Sequence, residues 1–129
     1  MNIYRTIKKF IQRGRRGWAD EDIWAFDSYL CDVVIGGLKH LKNNLYGCPS
    51  EFYDQDAKNN ECHRWEEAIE TMIQGFEAAK HLEGYYFKWE IQPDGHYKHV
   101  VDQMSVDNQI KKREEGLALF VKYFSNLWD

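Results

Sequence analysis

The sequence predicts a mainly α chain, a compact four-helix, bundle-like domain over residues 1–129 with a small β-hairpin at about 85–101 before the last helix. Three observations predict it. Apolar residues recur at helical spacing in four separate stretches. Glycine, asparagine and proline cluster between those stretches. One segment, YYFKWEIQPDGHYKHVV, breaks the helical period with β-rich arms around Pro93-Asp94-Gly95. With 129 residues, 43% hydrophobic and 29% charged, the chain can bury a core without disulfides or a metal, and its composition is not that of a disordered protein.

The first element is a short amphipathic helix over 2–13. Ile3, Ile7 and Phe10 share one face, and Arg5, Lys8, Lys9 and Arg13 the opposite one. Gly14 and Gly17 are expected to end it and to hold Arg15 and Arg16 in a tight connection. Asp20 is the expected N-cap of the second helix, with Glu21 and Asp22 against the positive end of its dipole. The stripe of that helix is Ile23, Phe26, Leu30, Val34, Gly37 and Leu41, and turn residues stop it near Lys42. Gly36 and Gly37 inside it cost about 1 kcal/mol each against alanine, which points to close approach of a neighbouring helix. Residues 43–60 read as a loop. Asn60 then caps a third helix with Trp65, Ile69, Met72, Phe76 and Ala79 on one face, ending at Gly84. The fourth helix starts at Ser105, with Val106, Ile110, Leu117, Val121, Phe124 and Trp128 aligned to the last residue.

Charge is unevenly placed. Residues 1–16 hold six basic side chains and no acid, which leaves −10 on the rest of a chain whose net charge is −4. A basic end on an acidic body disfavours coating of duplex DNA and suits a local anion site or an acidic partner. Cys31, Cys48 and Cys62 are odd in number and form no CxxC pair, so free thiols in a reducing compartment are expected. No apolar run approaches the ~18 residues of a membrane span, and neither a secretory signal nor a membrane partner is expected. The expected location is a cytoplasm.

Arg13, Arg15 and Arg16 beside Trp18 form the first candidate site. Guanidinium forks grip phosphate, an indole face takes a base or a cation, and nearby glycines let backbone N–H groups approach an anion. The competing reading pairs one arginine with an acid of the next helix and leaves the rest solvated. Asp27 falls between Ile23, Leu30 and Val34, so its carboxylate is expected inward, in an ion pair with Arg15 or, as the retained choice, Arg16. Glu114 poses the same problem between Ile110, Leu117 and Val121. The hairpin offers Trp89, Tyr97 and His99 among Lys88, His96 and Lys98. Strand alternation lets one face cover the bundle and leaves a surface of rings, lysine and histidine, suited to bases or to a protein.

Enzyme motifs are poor. Walker A, GxSxG, HExxH and dinucleotide fingerprints are missing from the sequence. Cys48, Cys62 and His63 lack an evident fourth zinc ligand. Glu67 and Glu70 match only half of the carboxylate pattern with which all-α nucleotide pyrophosphatases hold Mg²⁺. No cofactor and no metal site are expected.

The strings RGRRGWADEDIWAFDSYLCDVVIGGLKHL, WEEAIETMIQGFEA and EGLALFVKYFSNLWD resemble a family of small proteins encoded in tailed-phage genomes. The shared features are the Arg16-Gly17-Trp18 entry, the helix bearing Asp22, Trp24, Asp27, Tyr29 and Leu30, the Gly36-Gly37 pair, and the ending Leu127-Trp128-Asp129. The resemblance covers roughly two thirds of the chain and leaves the hairpin out. It implies a protein working in a host cytoplasm by binding, and it transfers no catalytic residue. Some phage proteins similar in outline sequester the nucleotide signals of bacterial immunity.

The leading expectation is therefore a non-enzymatic, counter-defence protein that captures a small phosphorylated ligand, such as a cyclic nucleotide or an ADP-ribose-type signal. Arg13, Arg15 and Arg16 hold phosphate in this reading, and Trp18, Trp89, Tyr97 and His99 surround a base. The alternative is a protein-binding inhibitor or adaptor that engages a host defence protein through the hairpin and Trp128. A third reading is a Mg²⁺-dependent nucleotide hydrolase using Asp27, Glu67, Glu70 and Glu114. A homo-oligomer is expected under the first two, from the glycine-notched helix and the surplus of rings.

Overall fold

The computed structural model describes residues 2–53, 62–81 and 87–128. The predicted class holds: the chain is mainly helical, with an antiparallel two-stranded hairpin before the last helix. The helices are α1 Ile3–Arg16, α2 Phe26–Asn43, α3 His63–Lys80 and α4 Gln103–Lys122, and the strands are β1 Phe87–Ile91 and β2 Tyr97–Val101. Short 3₁₀ turns stand at Asp20–Ile23, Ser50–Phe52 and Phe124–Asn126. The expected cap at Asn60, the helix end at Gly84 and the hairpin residues Tyr85 and Tyr86 lie outside the described residues.

α3 is the central helix. Trp65, Ile69, Met72 and Phe76 are buried as predicted, and so are Ala68, Ile73 and Gly75, an arc too wide for a single neighbour. On one flank, ion pairs Asp32–Lys80, Lys39–Glu77 and Lys42–Glu70 join α2 to α3, and their opposed numbering shows the two helices to be antiparallel. On the other flank Gly75 meets Gly116 of α4. A Cβ on either glycine would stand 2.5 Å from the Cα of the other. Such a Cβ on Gly116 would also meet the Thr71 carbonyl, and one on Gly75 the Lys112 carbonyl, so α4 is antiparallel to α3 too. α2 and α4 therefore run in the same direction on the two sides of α3. At one end the rings of Phe52, Trp65 and Tyr123 contact each other with centroids 5.0 to 5.5 Å apart. Phe76 meets Phe120 edge-on at 4.9 Å.

The stripes expected on α2 and α4 are rotated. Cys31, Val34, Ile35, Leu38 and Leu41 pack inward on α2, while Ile23, Phe26 and Leu30 are exposed. The chain leaves helical geometry at Ala25, φ −134°, so Asp20–Ile23 is a separate turn and a wheel begun at Asp20 carries the wrong phase into α2. On α4 the inward residues are Gly116, Leu117, Phe120 and then Tyr123 and Leu127, whereas Val121, Phe124 and Trp128 are exposed. A glycine sets that face, and a count of apolar side chains passes over it. The close approach expected at Gly36 and Gly37 occurs instead at Gly75 and Gly116; a Cβ on Gly36 or Gly37 would meet nothing within 4 Å.

α1 continues through Gly14 and ends at Gly17, whose φ of 84° lets its N–H reach the Arg13 carbonyl at 2.9 Å. Arg15 and Arg16 thus belong to the last helical turn. No α1 residue is buried.

Cys48 and Cys62 form a disulfide, with Cα atoms 5.9 Å apart. This corrects the expectation of three free thiols and removes the cysteine argument for a reducing compartment. It also takes both sulfurs from the zinc set considered with His63. Closing a loop of this size stabilises a fold by about 3 kcal/mol. Cys31 is free and buried, and burial pushes its thiol pKa up. Among the described residues, no helix is long and apolar enough to cross a membrane.

Two outcomes follow for stability and thiol content. Gly116→Val should destabilise the fold by about 2 kcal/mol or more through overpacking against backbone, whereas Gly36→Ala should stabilise it by up to about 1 kcal/mol, both read from urea midpoints. Maleimide labelling of unfolded, unreduced protein should modify Cys31 alone, with Cys48 and Cys62 following only after reduction.

Candidate functional site: the arginine latch and the hairpin face

Arg5, Lys9, Arg13 and Arg16 recur about one turn apart on α1 and make a basic ridge. The αL cap at Gly17 reverses the chain and brings the acidic turn Asp20–Ile23 against that ridge. Arg13 grips Asp22 with both prongs, Nε to Oδ2 at 2.9 Å and Nη2 to Oδ1 at 2.6 Å. Asp22 is only 6% exposed and also accepts the Ala19 N–H at 2.7 Å. The Arg13 hydrogen bonds outweigh the opposing effect of desolvation and, with the Ala19 N–H, hold the Asp22 pKa down at about 2. Arg5 pairs with Glu21 and Arg16 with Asp20, while Lys8 and Lys9 stand 3.8 Å from Asp20 and Glu21. Gln12 donates to Asp20 Oδ2 at 2.7 Å and accepts the Asp20 N–H at 3.0 Å. The Arg16 guanidinium lies 3.8 Å over the Trp18 ring, and that of Arg13 lies 4.9 Å from the Tyr29 ring.

The predicted arginine cluster is therefore present and already engaged by acids. Arg15 alone of the three is exposed without an ion pair among the described residues. A cavity of about 510 Å³ opens beside the latch, lined by Arg5, Lys9, Phe10, Arg13 and Glu21. An anion entering it would compete with Glu21 and Asp22.

The expected Asp27–Arg16 pair does not form, because Arg16 takes Asp20 and Asp27 is exposed. α3 ends at Lys80, level with Asp32, so the first turn of α2 extends past it and Asp27 meets solvent. Glu114 is exposed as well, on the rotated outer side of α4. Glu70 pairs with Lys42 at 2.9 Å, and among the described residues no three His, Cys, Asp or Glu side chains are grouped to hold a metal ion. The carboxylates Asp27, Glu67, Glu70 and Glu114 come from three helices and make no such group.

The hairpin register pairs Trp89 with His99 and Ile91 with Tyr97. Opposed residues share a face, so these four line up with Val101 on one side, and Lys88, Glu90, Lys98 and Val100 take the other. Rings and lysines therefore segregate, where a mixed surface was expected. Trp89, Ile91 and Tyr97 are each about two thirds exposed, and Trp89 stacks on His99 at 4.8 Å. Gly95, φ 83°, makes the turn, with its N–H on the Gln92 carbonyl at 2.9 Å. α1 packs mainly on the acidic turn and the strands mainly on each other, so Trp89, Tyr97 and His99 are not assembled with Arg13, Arg16 and Trp18 into one pocket.

The competing reading, an arginine paired with an acid just after the helix, holds for Arg13 with Asp22 and Arg16 with Asp20, but sequence reasoning named Asp27 as the partner and not Asp20, Glu21 or Asp22. The available signal was three successive acids just after six basic residues, read instead as a complement to a helix dipole. Comparison of the chain with protein-family profiles, with curated proteins and with solved structures finds no match.

The latch has a defined acid limit. The Asp22 pKa is depressed on folding, so its contribution is complete above the unfolded carboxylate value near 4 and is lost as pH falls toward 2. Trp18 fluorescence and amide exchange in α1 should be constant from pH 7 to about 4 and change below it. Asp22→Asn should show the low-pH signals at neutral pH.

Proposed function

We propose that this is a non-enzymatic binding protein that engages a protein partner through the ring face of its hairpin, as an inhibitor or adaptor. The observation that carries the reading is the face of Trp89, Ile91, Tyr97 and Val101, built by the strand register and left open. Isolated rings on a surface are ordinary, but an aligned set on one face of a hairpin has the composition of an interface centre. The phage resemblance supplies the context, a host defence protein as target in a host cytoplasm.

Capture of a small phosphorylated ligand is the second reading. The cavity beside Arg5, Lys9 and Arg13 favours it, and so does the Arg16–Trp18 stack. The existing pairs with Glu21 and Asp22 weigh against it, since an anion must displace a carboxylate from each arginine it takes.

The two readings separate experimentally. Under the first, Trp89→Ser should lower partner affinity by about tenfold or more, while Lys98→Ala on the opposite face changes it little. Equal recovery of host proteins by wild type and Trp89→Ser removes this reading. Under the second, calorimetry with cyclic nucleotides and ADP-ribose should show binding that Arg16→Ala abolishes.

A further inference from the structure

The hairpin draws little support from the helical core. Its strands pack mainly on each other, and among the described residues no third strand joins them. From Lys88 to Ile91 every residue of β1 is exposed, whichever face it takes. A two-stranded hairpin alone is marginal in water, and a further strand or a packed helix is what makes one stable. The outer edge of β1 is a row of N–H and C=O groups, a template for another strand.

Alternation fixes which groups lie on that edge. Gln92 donates to the His96 carbonyl at 2.7 Å, so these two residues close the ladder as a hydrogen-bonded pair. Lys88 and Glu90, in step with Gln92, turn their N–H and C=O groups toward β2, and those of Phe87, Trp89 and Ile91 point to the open edge. The strand reads FKWEI, an order that complements itself when laid antiparallel about Trp89. Phe87 then opposes Ile91 of a second copy, Lys88 opposes Glu90, and Trp89 opposes Trp89. This matches a charge that the single chain leaves without an acid across the ladder. Glu90 faces Lys98 in the hairpin, whereas Lys88 faces Val100, and its contact with Glu90 along its own strand is exposed and 3.7 Å long. In a two-copy sheet each Glu90 lies between Lys98 of its own chain and Lys88 of the other. Moving the axis to residue 88 or 90 sets lysine against lysine or glutamate against glutamate, which is destabilising. The outer edge of β2, paired likewise about His99, sets Lys98 against Val100 and gains no ion pair.

We propose that two copies of the chain join through the open edges of β1, antiparallel and in register about Trp89, in a four-stranded sheet ordered β2–β1–β1–β2. The self-complementary order of the strand selects a second copy over a foreign strand. Residues 87, 89 and 91 of the two copies exchange about six backbone hydrogen bonds. The contact is isologous and closes with two copies. Lys88, Glu90 and Lys98 of both chains make one face of alternating charge. On the other face the rings become a band across the dimer, His99–Trp89–Trp89–His99. Pairing uses the strand edge and leaves this band open, so the dimer is independent of what the ring face binds.

The test uses the full chain in sedimentation equilibrium with no partner added. Wild type should be a dimer with a dissociation constant on the order of ten micromolar. Lys88→Glu sets like charges opposite each other, and Ile91→Pro removes an N–H that the hairpin itself does not use. Each should weaken the dimer by about tenfold or more and keep the wild-type circular dichroism. An equimolar mixture of Lys88→Glu and Glu90→Lys chains should associate again, because unlike charges then face each other at both positions. Amide exchange gives the location: the backbone N–H groups of Trp89 and Ile91 should be protected in the wild-type dimer and exchange freely in Lys88→Glu, while those of Lys88 and Glu90, bonded to β2, stay protected in wild type. A monomeric wild type at about 100 μM, a dimer indifferent to both Lys88→Glu and Ile91→Pro, a mixture that stays monomeric, or free exchange at Trp89 and Ile91 within a dimer would each overturn the proposal.

Discussion

The contact of Gly75 with Gly116 sets the geometry of the rest. With no side chain on either residue, α3 and α4 meet backbone to backbone, and a Cβ at that point would sit 2.5 Å from the facing Cα. Such a contact fixes the rotation of α4 as well as its distance. Phe120 is then directed to Phe76, and Tyr123 closes on Trp65 and Phe52. The same rotation turns Val121 and Phe124 to solvent. α2, held by ion pairs on the far side of α3, lies parallel to α4 and leaves a groove between them.

What the sequence disclosed depended on how many large side chains reported each phase. α3 carries Trp65, Ile69, Met72 and Phe76 at strict helical spacing, so its inward face was readable. The hairpin was readable from Pro93-Asp94-Gly95, because that turn fixes the pairing of both arms. α2 and α4 were found as helices with faces only partly right: Val34, Leu41 and Leu117 pack inward as expected, whereas Ile23, Phe26, Leu30, Val121, Phe124 and Trp128 are exposed. In α2 the break at Ala25 interrupts the phase, and in α4 the deciding residue is a glycine. The disulfide was hidden because an odd cysteine count carries no pairing information. The arginine cluster was found, whereas its ion-pair partners depended on the chain reversal at Gly17, which brings residues 20–22 back along α1.

Stability is accordingly distributed in two grades. α2, α3 and α4 share buried apolar side chains distant in sequence, and their order is cooperative. α1 and the hairpin are held by contacts among near neighbours in the chain: ion pairs with residues 20–22 in one case and strand pairing in the other. Segments of that kind open without unfolding the core. They also carry the exposed rings and basic residues, so the surfaces suited to recognition belong to the parts that can move most cheaply.

The Cys48–Cys62 bond gives the chain a second covalent route from α2 to α3. A single backbone cut at any peptide bond between those two cysteines therefore opens a ring and releases no fragment. The severed halves would remain one molecule, with Trp65 still carried beside Phe52, and would separate only if the bond were reduced and the core disrupted. In this protein, continuity of the polypeptide and integrity of the fold are separate properties along that stretch.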